Sequence, residues 1–130
     1  MGLLNTINGY FKNHLPILVD RDTSEKNATD ASLDRYGIIH IHEDHFFPET
    51  YEFYKCLLHE FIHLDRFKTS GSVYGRRKPM PGKNLSYDLR QRLEDEINRE
   101  CDLLIEQKSL VFRLLKDSLK SAKYIVEEMH

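Results

Sequence analysis

The stretch FYKCLLHEFIHLDRF, residues 53–67, carries two histidines and a glutamate, His59, Glu60 and His63, inside an otherwise apolar run. Its apolar residues recur at the spacing of one face of an α-helix. Proline is tolerated in the first turn of a helix, and a proline precedes this run. The sequence therefore predicts an amphipathic helix over roughly residues 48–68, with the three polar residues near its middle.

His59 and His63 are four residues apart, so both imidazoles project from one face of the helix and can reach a single zinc ion. Glu60 follows His59 by about 100 degrees around the helix, where its carboxylate faces a water molecule instead of the metal. In this HExxH pattern zinc acts as a Lewis acid, and the glutamate takes the proton from the water that attacks a carbonyl. The spacing indicates a zinc hydrolase with Glu60 as catalytic base.

A structural role for the same residues is the alternative. The two histidines would then be hydrogen-bonded at the edge of the core, and Glu60 would face solvent. We favour the metal interpretation because the histidines lie on the buried side of the helix beside Leu58 and Ile62, where imidazoles without partners are costly.

A zinc site needs a third protein ligand, and the segment RLEDEINRECDLL offers several carboxylates. This segment belongs to a second predicted helix, over residues 86–107. Glu94 lies about 70 degrees from the centre of the apolar stripe of that helix, so it borders the buried side and is the first choice. Glu100 comes next, Glu96 leans to the opposite margin, and the thiol of Cys56 is a further alternative ligand.

The pairing of LLHEFIH with EDEINRECDLLI resembles the ImmA/IrrE family of zinc peptidases, in which HExxH is followed by a helix with an ExEAN-like segment. Glu94, Glu96 and Asn98 stand where that segment has its two glutamates and its asparagine. The resemblance covers roughly residues 36–105. Ile97 replaces the usual small alanine of the family, so the chain resembles a distant member.

The resemblance has implications for chemistry and biology. It implies one zinc ion bound by His59, His63 and Glu94, with Glu60 as general base. It also implies a protein substrate, such as a repressor of a mobile element or of a stress response. A catalytically inactive metal-binding regulatory or interaction protein with the same fold is the alternative function.

The rest of the chain adds a small sheet and two flanking helices. Residues 3–19 predict a short amphipathic helix that stops near Pro16, and residues 20–34 predict a polar loop. The run YGIIHIHEDH predicts a strand over residues 36–42. A final amphipathic helix is expected over residues 106–130.

The expected fold is an α+β, mostly helical, zincin-like domain. Its metal helix and second ligand helix hold the site, and a small β-sheet and a long C-terminal helix complete it. We expect one domain over residues 1–130, with a metal-site core at residues 36–105.

Three further residues are candidates for contacts with the oxyanion or the substrate. His42 lies on the predicted strand before the metal helix, where an imidazole could stabilise an oxyanion. Tyr74 and Tyr87 flank a basic segment at residues 70–84, and their hydroxyls could donate to the same oxygen. Ordinary solvent exposure is the alternative for all three.

Composition limits the partners. The chain has 19 basic and 21 acidic residues and a net charge of -2, which argues against a nucleic-acid-binding module. No apolar run is long enough to span a membrane. Two cysteines without a CxxC spacing fit reduced thiols in the cytoplasm. The apolar stripe of the last helix is a candidate homodimer contact.

Overall fold

The computed structural model describes residues 2–22, 31–70 and 87–129 of the chain. The fold is α+β and mostly helical, as predicted, with a small mixed sheet. Its described helices are α1 (Gly2–Lys12), α2 (Tyr51–Ser70), α3 (Tyr87–Glu106) and α4 (Leu110–Leu119), and a 3-10 turn lies at Glu43–His45. Its strands are β1 (Ile17–Asp22), β2 (Ala31–Leu33), β3 (Ile39–His42) and β4 (Tyr124–Met129). Among the described residues, no helix is long and apolar enough to cross a membrane.

The four described strands form one sheet in the order β2-β3-β1-β4. Strand β1 is central and runs parallel to both of its neighbours, with Leu18 opposite His40 in β3 and Asp20 opposite Glu127 in β4. Strand β2 is antiparallel to β3 and lies at the edge of the sheet, where Ala31 is opposite Ile41. The predicted strand at residues 36–42 is present in shorter form as β3.

Helix α2 is the central helix of the core. Leu57, Leu58 and Phe61 are fully buried, and the helix packs against α1, α3, β2 and β3. It begins at Tyr51, three residues after the predicted start at Pro48. The reason is local, because the backbone of Glu49 has a positive φ of 72° and cannot continue a right-handed helix.

The N-terminal prediction was wrong about where helix ends and strand begins. Helix α1 ends at Lys12 because His14 adopts a left-handed φ of 58°. The residues that follow Pro16 are the branched and apolar run Ile17–Val19, which pairs as the first half of β1. Residues predicted as a polar loop also contribute β2.

The C-terminal helix is present as α4, but its predicted extent to residue 130 was too long. Ser109 caps its start by accepting a hydrogen bond from the backbone N–H of Phe112. The helix ends at Leu119, and the remainder of the predicted stripe forms β4 against β1. The helical part of the stripe, including Leu115 and Leu119, is buried inside the chain. The apolar stripe of this helix thus packs against the chain's own core. A homodimer through this helix stays a prediction.

Tyr10 joins three elements through one buried hydroxyl. The hydroxyl donates to the carbonyl oxygen of Pro16, and it accepts a hydrogen bond of 3.0 Å from the backbone N–H of Ile39. The ring packs edge-to-face on Phe61 of α2. Burial raises the pKa of Tyr10 to about 12, so the hydroxyl keeps its hydrogen at neutral pH.

We expect Tyr10→Phe to lower the free energy of unfolding by about 1–3 kcal/mol, because it leaves the buried N–H of Ile39 and the carbonyl of Pro16 without their partner. Urea unfolding followed by circular dichroism measures the change. Tyr36→Phe is the matched control, since Tyr36 is 73% exposed, and it should change stability by less than about 0.5 kcal/mol. Equal effects of the two variants would contradict the role given to the buried hydroxyl.

Candidate metal centre

Three side chains converge where α2 crosses α3. The Nε2 atoms of His59 and His63 lie 3.0 Å apart. One oxygen of Glu94 lies 2.6 Å from Nε2 of His59, and its other oxygen lies 3.0 Å from Nε2 of His63. The two histidines come from successive turns of α2 and the glutamate from α3, so the sequence places all three at one helix crossing.

Asn98 fixes the orientation of His59. Its side-chain oxygen lies 2.9 Å from Nδ1 of His59, and an amide oxygen can only accept, so Nδ1 carries the hydrogen. Nε2 faces Glu94 and His63, and it is therefore the nitrogen that would bind a metal once it has lost its hydrogen. Asn98 lies one helical turn after Glu94, so a single face of α3 supplies both the carboxylate and the amide.

The donor set fits a zinc ion. Two imidazole nitrogens and a carboxylate oxygen form a common zinc ligand set, and tetrahedral ligands about 2.0–2.1 Å from zinc are roughly 3.3 Å from each other. The distance between the two Nε2 atoms and the distance from Nε2 of His63 to Glu94 are both 3.0 Å, close to that spacing, whereas the distance of 2.6 Å from Nε2 of His59 to Glu94 is shorter. Although partial burial opposes it, contact with the two histidines lowers the pKa of Glu94, so its carboxylate is ionised and able to bind a cation.

Glu60 is buried beside this centre and is only 7% exposed. This removes the alternative in which Glu60 faces solvent. Burial raises the pKa of Glu60, an effect that Glu94 strengthens and that His59 and His63 oppose. A carboxylate with a raised pKa is a stronger base than an exposed glutamate, which suits an acceptor of protons from water.

An open cavity of about 460 Å³ adjoins the centre and is large enough for a few residues of a peptide. It is lined by His59, Glu60 and Glu94, by Asn98, and by Ala31 of the edge strand β2. The candidate metal centre is therefore open to the outside of the fold, next to the edge of the described sheet.

One row of α2 side chains continues from the centre along the cavity. Tyr51 and Lys55 precede His59 at four-residue intervals, and both line the cavity. Lys55 forms an ion pair of 2.9 Å with Asp102 of α3, and the hydroxyl of Tyr51 donates to the same carboxylate. This hydrogen bond raises the pKa of Tyr51 to about 12, so the hydroxyl remains a donor at neutral pH.

The alternative third ligands lie elsewhere. Glu96 is exposed on α3, and Glu100 is exposed and faces Arg66 at 3.8 Å. Cys56 lines the cavity, but its sulfur is not among the converging ligand atoms. Glu94 is the carboxylate that faces both histidines.

Of the three candidate oxyanion contacts, His42 is the one whose side chain the structure describes, and it is not among the residues that line the cavity. His42 is buried, and its Nδ1 accepts a hydrogen bond of 3.1 Å from the backbone N–H of Asp44, which caps the 3-10 turn. Tyr74 and the side chain of Tyr87 lie outside the described residues.

Sequence reasoning missed the roles of Asn98, Lys55 and Ala31. Spacing could have identified the first two, since Asn98 follows Glu94 by one turn and Lys55 precedes His59 by one turn. No local signal marks Ala31, because its position depends on the pairing of β2 with β3.

Comparisons with family models, with curated proteins and with solved structures found no match to this chain. The assignment of the site therefore depends on its own geometry.

We expect Glu94→Gln to weaken zinc binding strongly, because a neutral amide is a poor zinc ligand. The loss should exceed the roughly 10–100-fold that follows removal of a residue that only hydrogen-bonds to a ligand. Competition with a chromophoric chelator measures the affinity. Glu96→Gln makes the same chemical change two residues away on an exposed position and should leave the affinity unchanged. Equal losses in the two variants would exclude Glu94 as the ligand.

We expect Asn98→Ala to weaken zinc binding by about 10–100-fold, because Nδ1 of His59 loses the acceptor that orients its ring. Asn98→Asp keeps an oxygen acceptor and should retain most of the affinity. The same chelator competition serves as the measurement, and a full-affinity Asn98→Ala variant would show that the ring is oriented without this hydrogen bond.

Proposed function

We propose that this protein is a zinc-dependent peptidase. One observation carries the proposal: the ligand atoms of His59, His63 and Glu94 converge on one point, and buried Glu60 lies beside them on the wall of an open cavity. A cluster with a purely structural role needs neither an open cavity nor a further buried carboxylate such as Glu60 beside it. The resemblance to ImmA/IrrE peptidases points to the same activity.

The proposed reaction is hydrolysis of a peptide bond. When bound, zinc supplies a Lewis acid that polarises the scissile carbonyl and acidifies water. Glu60 accepts the proton of the attacking water and passes it to the leaving amine as the carbon–nitrogen bond breaks. Asn98 holds the ring of His59, and the pair of Lys55 with Asp102 keeps α2 and α3 in register at the cavity.

A polypeptide is the substrate class that the cavity favours. Edge strands offer backbone N–H and C=O groups that can pair with an extended peptide. Strand β2 lies at the edge of the described sheet, and its first residue, Ala31, is on the cavity wall with His59. A peptide paired with β2 would pass beside Glu60. The resemblance further suggests a protein substrate such as a repressor, inside the cell.

The rival function is a metal-binding regulatory or interaction protein without turnover. It shares the zinc ligands and the fold with the peptidase. The two differ in the role of Glu60, which a protein without turnover does not need for chemistry.

We expect Glu60→Gln to abolish zinc-dependent cleavage while zinc affinity stays within about threefold of the wild type, because the amide cannot accept a proton. The substrate is unidentified, so the probe is a library of peptides from a digested proteome, and mass spectrometry reads the new ends. Glu52→Gln, which changes another carboxylate on the cavity wall, is the matched control and should keep most of the activity.

Two results would contradict the proposal. One is a wild-type chain with one bound zinc that cleaves no peptide in the library and no intact protein, which favours the rival function. The other is a Glu60→Gln variant with wild-type cleavage, which would exclude Glu60 as the base.

A further inference from the structure

A second histidine, His40 on β3, lies between two carboxylates. Its Nδ1 is 3.0 Å and 3.1 Å from the two oxygens of Asp20, and its Nε2 is 2.8 Å from an oxygen of Asp34. Ionised carboxylates only accept hydrogen bonds, so both ring nitrogens must carry hydrogen. Between two ionised carboxylates, His40 is therefore an imidazolium ion.

The two carboxylates belong to different parts of the sheet. Asp20 lies on the central strand β1. Asp34 begins the turn between β2 and β3, where its other oxygen accepts hydrogen bonds of 2.9 Å and 3.0 Å from the backbone N–H groups of Tyr36 and Ile38. The imidazolium of His40 thus ties the turn of the β2–β3 hairpin to the centre of the sheet. We name Asp20, His40 and Asp34 the hairpin clamp.

We propose that the hairpin clamp positions the edge strand β2 for peptide binding at the metal centre, which makes His40 a positioning residue; this role rests on the proposed peptidase function. Strand β2 ends at Leu33, next to Asp34, and begins at Ala31 on the cavity wall, so the clamp and the cavity are joined by three residues of one strand. Charge-assisted hydrogen bonds on both sides of one ring are strong enough to hold a short strand in place.

Three ionisable groups lie near the ring of His40: Asp20 from β1, Asp34 from the hairpin turn and Glu127 from β4. Tyr10 from α1 interacts with Asp34. Burial opposes charge on the ring, but the hydrogen bonds to Asp20 and Asp34 outweigh it and raise the pKa of His40. Tyr10 stays neutral because burial raises its pKa to about 12.

The direction of the pH effect follows from the raised pKa. A histidine whose pKa is higher in the folded state than its unfolded value of about 6.5 stabilises the fold fully below that value. The stabilisation is lost as the pH rises through the folded-state pKa. Deprotonation therefore releases the hairpin on the alkaline side, while Asp34, whose pKa is lowered by His40 against the effect of burial, remains ionised.

Asp20, His40 and Glu127 also present ligand atoms within 4.8 Å of one another, as a metal site would. A cation there needs a ring nitrogen without its hydrogen, whereas the contacts of His40 require hydrogen on both nitrogens. The test below includes this outcome.

The first experiment follows the zinc-loaded full chain by nuclear magnetic resonance from about pH 5.5 to 9. We expect the His40 ring to titrate with a midpoint above about 6.5. The amide signals of Ala31 and Leu33 should shift with the same midpoint, and their hydrogen exchange should accelerate above it. The proposal is overturned if His40 titrates at or below the ordinary value, if Ala31 does not respond, or if zinc beyond one equivalent displaces the His40 proton.

The second experiment compares His40→Asn with His14→Asn in peptide cleavage. His14 is exposed, and asparagine tolerates its positive φ, so it is a matched control. We expect His40→Asn to raise KM roughly tenfold, with kcat changed less than about twofold, and to remove the alkaline fall in kcat/KM. Equal KM values in the two variants would overturn the proposal.

The two experiments separate the clamp from the proposed function. If the wild-type chain cleaves no peptide, the peptidase proposal fails, and the nuclear magnetic resonance titration still decides whether the clamp holds β2. If peptides are cleaved but the amide signal of Ala31 does not follow the titration of His40, the proposal for the hairpin clamp is overturned and the peptidase proposal stands. The wild-type titration also covers the case in which His40→Asn does not fold.

Discussion

The rest of the site depends on one interaction, the repulsion between the electron-rich nitrogen and oxygen atoms that meet where α2 crosses α3. The Nε2 atoms of His59 and His63 lie 3.0 Å apart, and each of them lies within 3.0 Å of one carboxylate oxygen of Glu94. Such a group is stable only with positive charge among its members, either protons or a cation. Asn98 biases this choice, because it holds the hydrogen of His59 on the far side of the ring and leaves the near side open for a metal.

Periodicity predicted the parts of the structure that depend on local spacing. The four-residue interval between His59 and His63 places both rings on one face of α2, and the angle of Glu94 from the apolar stripe of α3 selects it over Glu96. Both long helices were located within three residues of their bounds because each has a sustained apolar stripe. The zinc itself remains a proposal.

Long-range pairing accounts for what the sequence did not predict. The runs at Ile17–Val19 and Tyr124–Val126 are too short for periodicity to separate strand from helix, and their pairing becomes visible only in three dimensions. The same applies to His40, whose partners Asp20 and Asp34 lie on another strand and in a turn. His42 stays a prediction as an oxyanion contact; its Nδ1 accepts a hydrogen bond from the backbone N–H of Asp44, and it is not among the residues that line the cavity.

The parallel pairing of β1 with β4 has a consequence for biosynthesis. Strand β1 is made before β4, and Ile17 can meet Tyr124 only after the segments that form α2, α3 and α4 have been made. Contacts between residues so far apart in sequence form slowly. One edge of β1 therefore stays unpaired until β4 has been made, and an unpaired strand edge is a site at which aggregation can begin.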